Sequence, residues 1–398
     1  MTEIHGKCSK KFIELKSVFQ NNFLGKDDIG ASVCVFHKGK KVVDLWGGFR
    51  NQDAKLLWEQ DTIVPLFSVT KGLTSICFLM LAVQKKLDYN LPVTYYWKEF
   101  GRNGKAHITV RELLEHRAGL HVLDQSLSLE DFYKDSPKIY QALINQKVRW
   151  NSTDNQAYGA QAWGIYAAEL FRRIQGESLG KFFYREITNK LKLNLYIGLP
   201  KDNTSSIAKI YPISNLDRIT SLLPHLWKQD SSEGRTIRSI LTGDQETLRA
   251  YLNPWSGLKG IEVFNDRRLQ ESELLWCSAM GDARSLAELY NVFILDGKSK
   301  GVKIANSKLM SVLKERNLLR YDKVIHKKQG WNLGFQKEEE GIFSPNYETF
   351  GHNGMGGSLA FVDPKARISF GYICNKLDYQ NRPTKTLNLC KAVYDCLR

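Results

Sequence analysis

A chain of 398 residues and 45.6 kDa can bury one large core or two modest ones, and 42% apolar with 25% charged residues is an ordinary globular composition that excludes long disorder. The longest purely apolar run, Ile76 to Val83, is less than half of what a membrane-spanning helix needs, so no transmembrane segment is expected. The net charge of +15 comes from Lys and Arg in short scattered groups such as Lys38, Lys40 and Lys41, without a basic helix interleaved with aromatics; a solvated basic surface is expected and a nucleic-acid partner is not.

The first predicted element is an amphipathic helix with Phe12, Ile13, Leu15, Val18 and Phe19 roughly on one side. A packed first helix is the preferred reading over a mitochondrial presequence, which Glu3, Glu14 and the absence of Arg before Arg50 oppose. No apolar core followed by a small-residue cleavage site is visible, so a secretory signal is not expected. Ala31 to Phe36 reads as a strand, His37 to Lys40 as a turn, and Lys41 to Trp46 as a second strand ending at Gly47-Gly48. From Ser68 to about Gln84 the spacing of Leu73, Ile76, Cys77, Met80 and Leu81 predicts a helix.

Val110 to His116 and Gln161 to Gln175 carry the same helical spacing, and Thr109 with Glu112 three residues on reads as an N-cap. Asp230 to Arg235 is polar and loop-like, and Ser285 to Leu295 is helical, closed by Asp296-Gly297. Trp331 to Phe335 reads as a strand and Lys337-Glu338-Glu339-Glu340-Gly341 as an exposed turn. Ser358 to Val362 and Ile368 to Asn375 form a hairpin around Asp363-Pro364, and a last helix starts near Pro383. This order predicts an α+β fold: a sheet domain from residues 1–75 and 285–398, a mainly helical domain over 76–284, and an active site between them.

The seven cysteines (Cys8, Cys34, Cys77, Cys277, Cys374, Cys390, Cys396) are scattered and include no CxxC pair. His5/Cys8 and Cys34/His37 have ligand-like spacing but no four-ligand pattern, so no metal and no cofactor are expected. An odd cysteine count without a signal peptide fits a reducing compartment, the cytoplasm, with the mitochondrion as the alternative.

Ser-x-x-Lys occurs five times, at Ser68/Lys71, Ser178/Lys181, Ser206/Lys209, Ser256/Lys259 and Ser311/Lys314, so the spacing alone decides nothing. Only the first has the right setting. Pro65-Leu66-Phe67 leads into Ser68, and Gly72 and a helical run follow Lys71. Ser68 then stands at a helix N-terminus, where free N–H groups favour a developing oxyanion, with Lys71 on the same face. A serine hydroxyl needs a base, and lysine serves only if burial or nearby positive charge pulls its pKa well below about 10.4. The competing reading makes Ser68 a helix cap and Lys71 a surface lysine.

Phe67-Ser68-Val69-Thr70-Lys71-Gly72, the segment Ile108 to Leu120 (ITVRELLEHRAGL), Tyr158 before a helix rich in small residues, Trp331 to Phe335, and Gly351-His352-Asn353-Gly354-Met355-Gly356-Gly357-Ser358 occur in a fixed order. Over roughly residues 10 to 398 the chain resembles the serine β-lactamase-related, penicillin-binding-protein-like hydrolases, in particular the class C β-lactamase and carboxylesterase branch. The resemblance implies Ser68 as nucleophile, Lys71 beside it, and Tyr158 as a partner base exchanging protons with Lys71. A cationic lysine beside Tyr158 is expected to lower its phenol toward the phenolate. His352, Asn353 and Gly354 are expected just before a strand that flanks Ser68, with the Met355 N–H as second oxyanion donor beside that of Ser68. The competing readings are a half-buried aromatic for Tyr158 and a turn histidine for His352.

The departures bear on substrate. No Lys-Thr-Gly or Lys-Ser-Gly occurs, so a mostly neutral His352 replaces the cation that grips a β-lactam carboxylate, and Tyr-x-Asn reads Tyr158-Gly159-Ala160, losing an amide. The expectation is a serine hydrolase acting on a small-molecule ester or amide. A catalytically weak, self-assembling scaffold and a basic nucleic-acid or membrane-surface binder are the alternatives, and a homo-oligomer is compatible with the sequence.

Overall fold

A computed structural model of the protein describes residues 2–25, 27–150, 154–213, 232–316, 318–338, 341–378, 380 and 382–398. A short strand β1 (Ile4–Cys8) precedes helix α1 (Ile13–Leu24), followed by β2 (Gly30–His37), β3 (Lys40–Asn51), β4 (Leu56–Leu57) and β5 (Val64–Pro65). Helix α2 (Val69–Val83) leads into the helical stretch containing α3 (Val110–Leu114) and α4 (Ala162–Gln175). Then come β6 (Leu195–Ile197), α5 (Ser232–Leu241), β7 (Ala279–Gly281) and α6 (Ala283–Asn291). The chain closes with strands β8 (Arg320–Asp322), β9 (Lys327–Gln329), β10 (Trp331–Asn332), β11 (Phe335–Lys337), β12 (Phe350–Asn353), β13 (Leu359–Asp363) and β14 (Ile368–Cys374), and helix α7 (Thr384–Asp395).

The large sheet runs β1-β3-β2-β14-β13-β12-β11-β10, antiparallel throughout, with β4 beside β3. Strands from the two ends of the chain meet where β2 pairs β14, Val33 opposite Tyr372. The two-residue period of a strand sorts the side chains onto two faces. Ala31, Val33 and Val35 enter a core with Phe12 just before α1, Leu15 and Phe19 of α1, and Leu389 and Val393 of α7. Cys34 and Phe36 point the other way, into a core shared with Leu286 and Leu289 of α6 and with α2. The fold is α+β, as the residue pattern predicts. The expected boundaries after residues 75 and 284 fall inside α2 and α6.

Several local expectations are corrected. The strand β1 was not foreseen, because Ile4-His5-Gly6-Lys7-Cys8 is a mostly polar edge strand without apolar alternation. In the first helix Ile13 is exposed and the buried side is Leu15, Phe19, Asn22 and Phe23, while β3 runs past Gly47-Gly48 to Asn51. Trp331 to Phe335 is not one strand: Leu333 and Gly334 both take positive φ, 50° and 90°, and reverse the chain between β10 and β11. Such two-residue turns match the twist of paired strands. The expected exposed turn after it is wrong at its start. Lys337 and Glu338 are buried, the ammonium on the Leu313 and Glu348 carbonyls and the carboxylate accepting from the Ile342 and Phe343 N–H groups; Glu339 and Glu340 lie outside the described residues. Residues 232–235 of the expected loop begin α5, and 230 and 231 lie outside the described residues.

Candidate active site

Ser68 is the residue before α2, and its side chain makes no capping bond to the first turn, so its oxygen is not spent as a helix cap. Phe67, immediately before it, has φ 48°. A left-handed phenylalanine costs on the order of 1–2 kcal/mol and turns Ser68 sharply out of β5. The bend is tied down on both sides. Leu66 N–H donates to the Ala279 carbonyl at 2.8 Å, Thr70 Oγ1 donates to the Phe67 carbonyl at 2.6 Å, and the same oxygen accepts from Ala279 N–H at 3.0 Å.

Lys71 is fully buried, against the surface-lysine reading. Its Nζ lies 3.2 Å from Ser68 Oγ and donates to the Trp276 carbonyl at 3.2 Å, with no carboxylate bonded to it among the described residues. Burial pulls the Lys71 ammonium down to about 7. A charge taken from water without a counter-ion prefers to neutralise.

Tyr158 OH lies 3.0 Å from Ser68 Oγ, and the Lys71 amine sits 5.0 Å from the centre of the phenol ring. The ring stacks on Trp331 at 5.7 Å and 9°. The expected phenolate is not what this environment favours. Burial pushes the phenol up, and the bond with Ser68 offsets only part of that. The expectation assumed a fully charged Lys71, whereas burial lowers that ammonium to about 7 and weakens the charge that would draw the phenol down.

His352 and Asn353 end β12 rather than preceding a strand or forming a turn, and it is β12 itself that packs against α2. The imidazole Nδ1 is 2.7 Å from the Asn353 carbonyl oxygen, and its buried Nε2 has no partner among the described residues. Burial, then the nearby Lys71, lowers His352 to about 3, so the ring is neutral. Two glycines allow this approach. A Cβ on Gly72 would stand 2.3 Å from Tyr290 OH and 3.3 Å from His352 Cβ, and one on Gly354 would stand 2.6 Å from the Leu66 carbonyl oxygen. Gly354 therefore lies against the residue two before Ser68, and Met355, next along, is partly exposed.

The sequence-predicted residues Ser68, Lys71, Tyr158, His352 and Gly354 thus converge. Two of the other Ser-x-x-Lys pairs have a different setting: Ser178 caps a helix and bonds Glu273, while Ser206 bonds Glu59 and Lys209 pairs with Asp53. The residue reading missed the Trp276 carbonyl, a main-chain group without a side-chain signature. It also missed Asp322, which accepts the Tyr158 N–H at 3.0 Å from inside a polar hairpin that carries no motif. No group of three or more His, Cys, Asp or Glu suited to a metal occurs among the described residues, nor does a helix long and apolar enough to cross a membrane.

A family model described as beta-lactamase matches residues 19–392. The esterase/beta-lactamase LipL of Mycobacterium tuberculosis (strain ATCC 25618 / H37Rv) is 25% identical over 377 residues, 94% of this chain and 83% of that protein. A family VIII carboxylesterase superposes with TM-score 0.85 at 29% identity, covering 99% of this chain and 100% of the other. A penicillin-binding protein homolog from Caulobacter crescentus superposes with TM-score 0.84 at 25% identity, with coverage of 99% and 100%.

Proposed function

The chain belongs to the beta-lactamase family, and from that premise we propose that it is a serine hydrolase cleaving small-molecule esters, and small amides, through an acyl-enzyme on Ser68. The observation that carries the reading is the convergence of an uncharged-prone amine and a phenol on one hydroxyl, at 3.2 and 3.0 Å. The neutral Lys71 amine takes the Ser68 proton as Oγ attacks the carbonyl carbon. The Ser68 and Met355 N–H groups receive the oxyanion. Collapse of the tetrahedral adduct breaks the bond to the leaving alcohol, whose oxygen takes a proton from the Lys71 ammonium through the Tyr158 phenol. A water then gives its proton back along the same path while attacking the acyl group, and Ser68 regains its hydrogen as the acid leaves.

The esterase and carboxylesterase named among the relatives support an ester substrate. The uncharged His352 supports it too, because no ammonium stands there to meet a β-lactam carboxylate. Hydrolysis of p-nitrophenyl butyrate is therefore expected at a higher kcat/KM than that of nitrocefin. A reducing compartment such as the cytoplasm is supported by seven free cysteines, six of them buried. The test is covalent labelling with a fluorophosphonate: labelling and ester hydrolysis both vanish in Ser68→Ala. Labelling that survives that substitution moves the nucleophile elsewhere.

A further inference from the structure

Residues 156–159, which carry Tyr158, lie outside any helix and cannot hold themselves by helical hydrogen bonds. Residues far away in sequence hold them instead: Gln156 bonds the Lys323 N–H and the Gln329 carbonyl, and the bonds to the stretch around Tyr158 come from Asp322 and His116. Asp322 Oδ1 accepts the Tyr158 N–H at 3.0 Å, and Oδ2 accepts the Gln156 side-chain amide at 3.2 Å. His116 bonds both neighbours of Tyr158: its Nδ1 accepts the Gly159 N–H at 3.1 Å, and its carbonyl accepts the Ala157 N–H at 3.0 Å.

Both anchors are themselves fixed. Asp322 is fully buried, and its Oδ1 also accepts the Val324 and Ile325 N–H groups of its own hairpin. His116 is buried with φ 60°, a left-handed backbone that turns its carbonyl and its ring toward the same loop. Its ring lies 5.0 Å from that of Tyr158 and 4.3 Å from that of Trp331, the tryptophan stacked on Tyr158. Burial keeps this imidazole neutral, so Nδ1 has a lone pair to offer.

We propose that Asp322 and His116 are positioning residues that hold the Tyr158 phenol at Ser68, Asp322 fixing Gln156 and the Tyr158 backbone and His116 fixing Ala157 and Gly159 on either side of the tyrosine. The proposal rests on the Ser68–Lys71–Tyr158 reading given above. A proton relay needs its groups within hydrogen-bond reach, and a displacement of about 1 Å costs on the order of 100-fold in rate.

The experiment is steady-state hydrolysis of p-nitrophenyl butyrate by the full chain, each variant assayed below its melting temperature. Asp322→Ala and His116→Ala lower kcat by about 10- to 100-fold, with KM within about threefold, since substrate contacts remain. Asp322→Asn keeps an oxygen for the Tyr158 N–H, and His116→Asn keeps one near the Nδ1 position in a residue that tolerates left-handed backbone. Both recover to within about fivefold of the parent. If Asp322→Ala does not fold, Asp322→Glu, which displaces the carboxylate by one methylene, shows the same kcat loss.

The deciding comparison uses Tyr158→Phe. Groups that act through Tyr158 are non-additive with it, so Asp322→Ala/Tyr158→Phe and His116→Ala/Tyr158→Phe are no slower than Tyr158→Phe alone. Losses that multiply, or folded Asn variants as slow as the Ala ones, overturn the positioning role and leave the Ser68 reading intact. Parental kcat in Tyr158→Phe sinks that reading, and this proposal with it.

Discussion

Lys71 shows how a residue type acquires a function from its surroundings. An exposed lysine is an ammonium at neutral pH and cannot accept a proton; this one is enclosed beside a hydroxyl and a carbonyl, with no carboxylate bonded to it among the described residues. Its pKa is lower folded (about 7) than unfolded, so between about 7 and 10.5 the unfolded chain binds more protons and stability rises with pH. Urea unfolding of the parent against Lys71→Met isolates this term. From pH 7 to 9 the parent gains roughly 2 kcal/mol relative to the variant. At pH 7 the variant is more stable by about 1–2 kcal/mol, as expected when a functional buried charge is replaced by an apolar chain, and it does not hydrolyse esters.

At this scale the sequence was readable where context singled out one pair. Pro65-Leu66-Phe67 before Ser68 and the helical run after Lys71 distinguish it from four similar pairs. It was unreadable where the answer depends on desolvation. The direction of the Tyr158 shift was misjudged because spacing says which groups are near, not how much water they keep.

Among the elements, the site is made by the approach of β12 to α2, and glycines at the contact decide how close that approach is. Gly354→Ala puts a methyl group against the Leu66 carbonyl and displaces the turn carrying Met355. Overpacking of this kind costs about 1–3 kcal/mol. If this turn donates to the oxyanion as proposed, the expected result is a roughly tenfold or greater loss of kcat in ester hydrolysis with a smaller change in KM. An unchanged kcat would argue against this turn as the oxyanion donor. The elements themselves were legible in proportion to their apolar periodicity. The helices at 69–83 and 162–175 and the hairpin 359–374 follow theirs, whereas Leu333-Gly334 hides a reversal inside an apolar run that looks continuous.

For the molecule as a whole, the sheet is assembled from the two chain ends, and a buried ion pair fastens them. Lys385 Nζ donates to Asp28 Oδ1 at 2.9 Å and to the Asp27 and Lys376 carbonyls, while Tyr372 OH donates to Asp28 Oδ2 at 2.6 Å. The segment after α1, the strand β14 and helix α7 thus share one carboxylate. Removing one partner strands the other charge in the core, so Asp28→Ala or Lys385→Met is expected to lose about 3–5 kcal/mol in urea unfolding. Replacing both by apolar residues recovers most of that loss. The α+β order was legible from the helix–hairpin–helices–strands–helix sequence, but this fastening was not: Asp28 and Lys385 are separated by most of the chain and neither lies in a motif.

The proposed chemistry depends on an amine one helical turn from Ser68 that is able to lose its proton near neutral pH. The most direct measurement is the second-order rate of fluorophosphonate labelling of Ser68 across pH, followed by mass spectrometry of the labelled peptide. The rate should rise with pH through a midpoint near the Lys71 value of about 7, and that limb should disappear in Lys71→Met. A rate independent of pH from about 5 to 9, or one rising only near the ordinary lysine value of about 10.4, would contradict it.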